Sequence, residues 1–154
     1  MPQHSAPDLD GVLRHARIGS LDLETGGHLP DVSLAYETWG TLNADATNAV
    51  LVAHALTGST HVAKGSSDED GWWDALVGPG KTVDTDRFFV VAVNMIGGCY
   101  GSTGPSSLDE HGRPWGSRFP FVTIRDSVRA ESRLADLLGI RAWHTVLGGS
   151  LGGA

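Results

Sequence analysis

The residues with the clearest chemical spacing close the chain. An apolar pair, Val146-Leu147, leads into Gly148-Gly149-Ser150-Leu151-Gly152-Gly153, which contains Gly-x-Ser-x-Gly. That spacing belongs to a nucleophile elbow, a sharp turn from a buried strand into a helix. Glycine is needed two residues before and two after the serine, because the two backbones approach too closely for side chains. The turn forces the serine into a sparsely allowed conformation and holds its hydroxyl where an acyl group can reach it. The chemistry expected of Ser150 is nucleophilic attack on an acyl carbon.

Such an attack puts negative charge on the acyl oxygen, which two preset N–H donors must meet. One comes from the residue after the nucleophile, the other from the loop that follows an earlier strand. In this chain those are the backbone N–H groups of Leu151 and of Leu56, the latter within His54-Ala55-Leu56-Thr57-Gly58-Ser59. The plainer reading of that segment is an ordinary strand-end turn.

A base for Ser150 is harder to find among the seven histidines. His144 lies six residues before Ser150, roughly 20 Å away along a strand at ~3.3 Å per residue. His54 and His61, near the proposed oxyanion loop, are the geometrically thinkable candidates, although a loop histidine is more often solvated or simply hydrogen-bonded. Cys99 has no positioned partner and reads as a packed cysteine. Gly97-Gly98-Cys99-Tyr100-Gly101 lacks dinucleotide-loop spacing and opens no helix, so no cofactor site is indicated. His61 and His111 show no metal-ligand spacing. Asp68-Glu69-Asp70 reads as a solvated loop, and Trp72-Trp73 as packing.

The elements that must carry these groups follow from hydrophobic period. Residues 18–24 and 32–39 alternate across a Thr25-Gly26-Gly27 turn, which predicts an antiparallel hairpin. Residues 49–53 and 88–93 are short unbroken apolar runs, as in parallel strands covered on both faces. Residues 72–77 fit a short helix. Thr123 with Asp126 three residues on predicts a capped helix over 124–138, its apolar face at Ile124, Val128, Ala135 and Leu138. Gly139-Ile140 is its stop, and residues 142–147 form the strand that delivers Ser150. The order predicts an α/β fold with a mostly parallel sheet and crossover helices. Residues 97–118 are expected to be a structureless 22-residue loop, a length that usually carries function or disorder.

Composition bounds the rest. The 154 residues fit one domain, divided here into a flexible leader over 1–17 and the domain proper over 18–154. A net charge of -7 argues against a nucleic-acid partner. No apolar run is long enough to span a membrane, and the first residues lack a secretion-signal pattern. One cysteine suits a reducing cytosol.

Four blocks together resemble the homoserine O-acetyltransferases, α/β-hydrolase-fold acyltransferases of methionine biosynthesis. They are His54-Ala55-Leu56-Thr57-Gly58; residues 94–105, Asn-Met-Ile-Gly-Gly-Cys-Tyr-Gly-Ser-Thr-Gly-Pro; residues 119–126, Phe-Pro-Phe-Val-Thr-Ile-Arg-Asp; and residues 148–153 around Ser150. The likeness runs from about Gly19 to the last residue, with Leu151 standing where the family mostly has Met. It implies acetyl transfer from acetyl-CoA to the hydroxyl of L-homoserine through an acyl-serine, in the cytoplasm and usually by a homodimer, with acetyl-CoA as co-substrate and no resident cofactor expected.

The resemblance also implies that the chain is the N-terminal part of such an enzyme, cut after the nucleophile strand. The triad order Ser, Asp, His then places acid and base after Ala154, together with the lid and a substrate-binding arginine. The 154-residue chain is accordingly expected to show no meaningful turnover. It is also expected to leave the nucleophile strand with an unpaired edge. Within the family, a succinyl donor or a serine acceptor is an alternative. A serine hydrolase on the same fold and a non-catalytic fragment are the other readings.

Overall fold

A computed structural model describes residues 9–154; the first part of the expected leader, residues 1–8, lies outside the described residues. Strand β1 (Arg14–Asp22) begins before the expected boundary at Ile18, so residues 14–17 belong to the domain. They are held there by pairing of Arg14 to Arg17 with Tyr36 to Ser33, and by the Arg14 guanidinium donating to Thr38 Oγ1 at 2.8 Å. Strand β2 (His28–Trp39) completes the antiparallel hairpin.

Strands β3 (Ala49–Ala53), β4 (Val77–Gly78), β5 (Val83–Asp84), β6 (Phe89–Val93) and β7 (Trp143–Gly148) follow, with helix α1 (Ile124–Leu137) between β6 and β7. The main sheet runs β1-β2-β6-β3-β7, with β6, β3 and β7 mutually parallel and β2 antiparallel to both its neighbours, β1 and β6. Among the described residues β7 is an edge strand, paired with β3 alone.

The unbroken apolar runs are explained by burial on both faces. Leu51, Val91 and Val93 point to one side, where Ala130, Leu134 and Ala135 of α1 pack with Leu29 and Leu34 of the hairpin. Val50, Val52, Val90 and Ala92 point to the other, against Trp39, Val62 and Val77. That second face is covered by irregular chain rather than by a helix.

The helix expected over 72–77 is absent: the segment is a series of turns leading into β4, which pairs with β5. The Trp72 and Trp73 amides bond outside the segment, to the His61 carbonyl at 3.1 Å and the Val62 carbonyl at 2.8 Å, and a single turn closes from the Val77 amide to the Trp73 carbonyl at 3.0 Å before β4 begins. The Asp74 carboxylate accepts from the Lys64 and Gly71 amides, which pins the turn instead of propagating it.

Helix α1 starts as its sequence predicts. Thr123 accepts from the Asp126 amide while the Asp126 side chain accepts from the Thr123 amide, a complete capping box. It stops at Gly139, whose φ of 75° only glycine takes cheaply. There the Ile140 amide reaches back to the Ala135 carbonyl at 2.9 Å. The apolar face needs correction. Ala130, Leu134 and Ala135 are buried, whereas Ile124 and Val128 are 49% and 55% exposed. The predicted stripe straddles two surroundings: its C-terminal part meets the sheet, and its N-terminal part lines a groove beside β7.

Candidate active site

Strand β7 delivers Ser150 into the left-handed region, with φ at 57°. Ala46 is the other non-glycine residue with positive φ among the described residues. Such backbone is costly for a residue with a Cβ and persists when its surroundings hold it there. The flanking glycines show what holds it. A Cβ on Gly148 would collide with the Gly152 carbonyl, and one on Gly152 would collide with the carbonyl of Ala53 and come within 2.7 Å of the His54 carbonyl. A 3-10 turn, Ser150–Gly153, follows. Ser150 is exposed, and its hydroxyl makes no hydrogen bond among the described residues.

Gly152 therefore brings the elbow into backbone contact with the end of β3, the start of the loop that carries Leu56. The amides of Leu56 and Leu151 donate to no group among the described residues. Leu56 is 72% exposed. Beyond it lies a cleft of about 480 Å³ lined by Leu56, Met95, Ile96, Cys99, Phe119 and Phe121 among others. A second groove, about 530 Å³, runs on the α1 side past Leu51, Val93, Ile124, Val128, Glu131 and Val146 to Leu151.

The histidines separate cleanly. His144 is exposed, bonds its neighbour Thr145 at 2.9 Å and lies against Phe88, the ring centroids 4.9 Å apart and the rings tilted by 53°. His61 places Nδ1 2.9 Å from the buried Glu37 carboxylate and Nε2 3.0 Å from the Glu69 carbonyl. Burial works against charge on that ring, yet the Glu69 carbonyl and Glu37 carboxylate together outweigh it and push its pKa up. Both ring nitrogens are thus engaged by Glu37 and Glu69, which leaves neither to take a proton from Ser150. His54 is 3% exposed and lies within the β3–β6 loop junction, with Nδ1 2.6 Å from the Ala55 carbonyl.

The long loop is not structureless. Ser102 Oγ accepts from the Ala35 amide at 2.9 Å, and Thr103 exchanges hydrogen bonds with the Ser33 backbone, so the loop is tied along β2. Asp109 accepts from the His111 and Arg113 amides and sits 2.9 Å from Arg118. Those amides and the guanidinium hold its carboxyl down at about 2. Sequence reasoning missed these serines and threonines, and also Glu37, whose Oε1 accepts from Thr60 at 2.6 Å. The signal available was a carboxylate inside a β-run; the face opposite Val32, Leu34 and Tyr36 is a second core, not solvent.

A serine elbow at the end of a parallel strand, butted on a preceding strand-end loop, defines an alpha/beta hydrolase-type protein. Residues 48–154 match the alpha/beta hydrolase fold family, and the chain belongs to that family. It is 62% identical over 136 residues to a homoserine O-acetyltransferase of Thermobifida fusca (strain YX), an alignment covering 86% of this chain and 36% of that protein. A homoserine O-succinyltransferase of Alkalilimnicola ehrlichii is 52% identical over 160 residues, covering 99% of this chain and 42% of the relative. Among solved structures, esterase E22 superposes with a TM-score of 0.85 at 34% identity, covering 92% of this chain and 41% of that one. The chain thus spans well under half the length of the relatives it matches.

Proposed function

We propose that this chain carries the nucleophile and oxyanion donors of an acyltransferase that moves an acetyl group from acetyl-CoA to the hydroxyl of L-homoserine. The observation that carries the reading is the strained Ser150, locked by crowded glycines against the β3 end. Ser150 Oγ bonds to the thioester carbon as its proton passes to a base. The Leu56 and Leu151 amides hold the oxyanion, and the C–S bond then breaks as the CoA sulfur takes the proton. The homoserine hydroxyl next attacks the acyl-serine carbon and gives its proton to the same base; the C–Oγ bond breaks as that base returns the proton to Ser150 Oγ. In this fold the base and its acid follow the nucleophile in chain order, so on this proposal they lie in sequence of the relatives' length beyond Ser150. Function as a cytoplasmic homodimer, with acetyl-CoA as co-substrate rather than resident cofactor, completes the proposal.

The names of the relatives favour the homoserine acceptor and leave two donors, acetyl and succinyl. The likeness to an esterase supports a second reading, with water as acceptor. One experiment separates them: a polypeptide of the relatives' length is mixed with acetyl-CoA or succinyl-CoA, with and without homoserine. Acetyl-enzyme on Ser150 and homoserine-dependent CoA release are expected; acetylation that persists in Ser150→Ala defeats the proposal, and release indifferent to homoserine makes the protein a hydrolase.

A further inference from the structure

We infer that His54 is a positioning residue that aims the Leu56 amide by clamping the peptide to which that amide belongs; this rests on the oxyanion role proposed for Leu56. The Ala55 carbonyl and the Leu56 N–H are the two ends of one planar trans peptide, so they point in opposite directions. Fixing the carbonyl fixes the donor. Two groups fix it: His54 Nδ1 at 2.6 Å and the Gly58 amide at 2.8 Å. Gly58 sits so close that a Cβ there would come within 2.8 Å of His54 Cβ, so the loop is folded back onto the base of the His54 side chain.

The other ring nitrogen settles the proton. Nε2 lies 3.2 Å from the Met95 amide and 3.3 Å from Asn94 Nδ2, and both of these are donors. Nε2 must offer its lone pair, while a carbonyl acceptor at Nδ1 requires an N–H there. The two demands agree on the Nδ1–H tautomer. With its lone pair committed to the β6 end, His54 is not the base for Ser150. It ties together the ends of β3 and β6 at the point where Gly152 packs against the His54 carbonyl.

Two measurements test this. Long-range proton–nitrogen spectra of the 154-residue chain at neutral pH should show His54 protonated on Nδ1 alone; an Nε2–H tautomer or a doubly protonated ring overturns the inference. In an acyl-transferring polypeptide of the relatives' length, His54→Leu should lower kcat by ~10²–10³-fold, the scale of one lost oxyanion donor, with KM nearly unchanged. His54→Asn, whose amide can stand where Nδ1–H stood, should recover most of that loss. Equal losses in the two variants, or a loss carried by KM, overturn it. The tautomer readout needs no acyl chemistry, so it stands or falls separately from the proposed activity.

Discussion

The α-carbon of Gly152 rests against the carbonyl oxygen of Ala53, so closely that even a methyl group cannot be inserted. This one contact locks the turn after β7 to the end of β3, and with it the serine to the loop of Leu56. Strand pairing alone aligns Ala53 with Gly148; the glycine converts that alignment into a fixed distance between nucleophile and donor.

Gly152→Ala should therefore force the elbow away from β3. Overpacking of this kind costs about 1–3 kcal/mol, readable as a lowered denaturation midpoint. Gly149→Ala is the control, since a Cβ there meets nothing within 4 Å. Equal destabilisation by the two substitutions would show that the contact does not constrain the turn.

The capping box makes a second test. Asp126 is fully buried and accepts from the Thr123 and Glu24 amides and from Arg129, linking α1 to the hairpin. Burial alone would raise its pKa, but the Thr123 amide, Arg129 and the Glu24 amide overcome that and hold it below the usual value. A depressed carboxylate contributes stability that is present above its unfolded pKa of 3.8 and lost as pH falls through the folded value. Asp126→Asn should cost roughly 1.5–3 kcal/mol at pH 6, the range for hydrogen bonds to a charged group. The gap between the two proteins should close as pH falls below 3.8. A gap that stays constant down to the acid transition would mean the charge is irrelevant.

How much of this was legible in the sequence depends on whether one residue's type dictated its surroundings. Thr123 with Asp126, Gly139 and the Gly-x-Ser-x-Gly run each encode a local backbone geometry, and each appears where expected. The limits of β3 and β6 follow from apolar runs with no polar interruption. Tertiary partners were not legible. Nothing local says that Val77 and Gly78 would pair with Val83 and Asp84, which ends the expected helix after a single turn. Nor does the spacing of Ser102 and Thr103 reveal that they bond to β2 across some 70 residues. At the site, Ser150 and the two leucines came from motif spacing, whereas the clamp by His54 depends on a fold-back at Gly58 that spacing leaves open.

His61 supplies a pH test of the cover over the second core. Its pKa is raised above 6.5 because the Glu69 carbonyl and the Glu37 carboxylate outweigh burial. A raised cationic group contributes stability that is full below the unfolded pKa and lost as pH rises through the folded one. His61→Gln should be less stable than the parent at pH 6, by on the order of 1 kcal/mol for a partly exposed pair. The difference should shrink by pH 9. Denaturant midpoints at the two pH values decide it, and a difference that grows with pH would reverse the assignment of charge.

Glu131 carries the opposite sign and a larger effect. It lies in the groove beside Val128, Trp143 and Val146, where burial without a counter-charge pushes its carboxyl up from 4.5 to about 7. The folded chain then binds more protons than the unfolded chain throughout that window, so stability falls as pH rises from 4.5 towards 7 and stays low above it. At ~1.4 kcal/mol per unit the full penalty is at most about 3.5 kcal/mol. Glu131→Gln keeps shape and hydrogen-bonding capacity but never ionises. It should raise stability at pH 8 by up to that amount and leave it nearly unchanged at pH 4.5. Guanidinium unfolding of both proteins at the two pH values reads the difference directly. An equal gain at both pH values would trace the effect to packing, and no gain at pH 8 would mean that the groove leaves Glu131 hydrated.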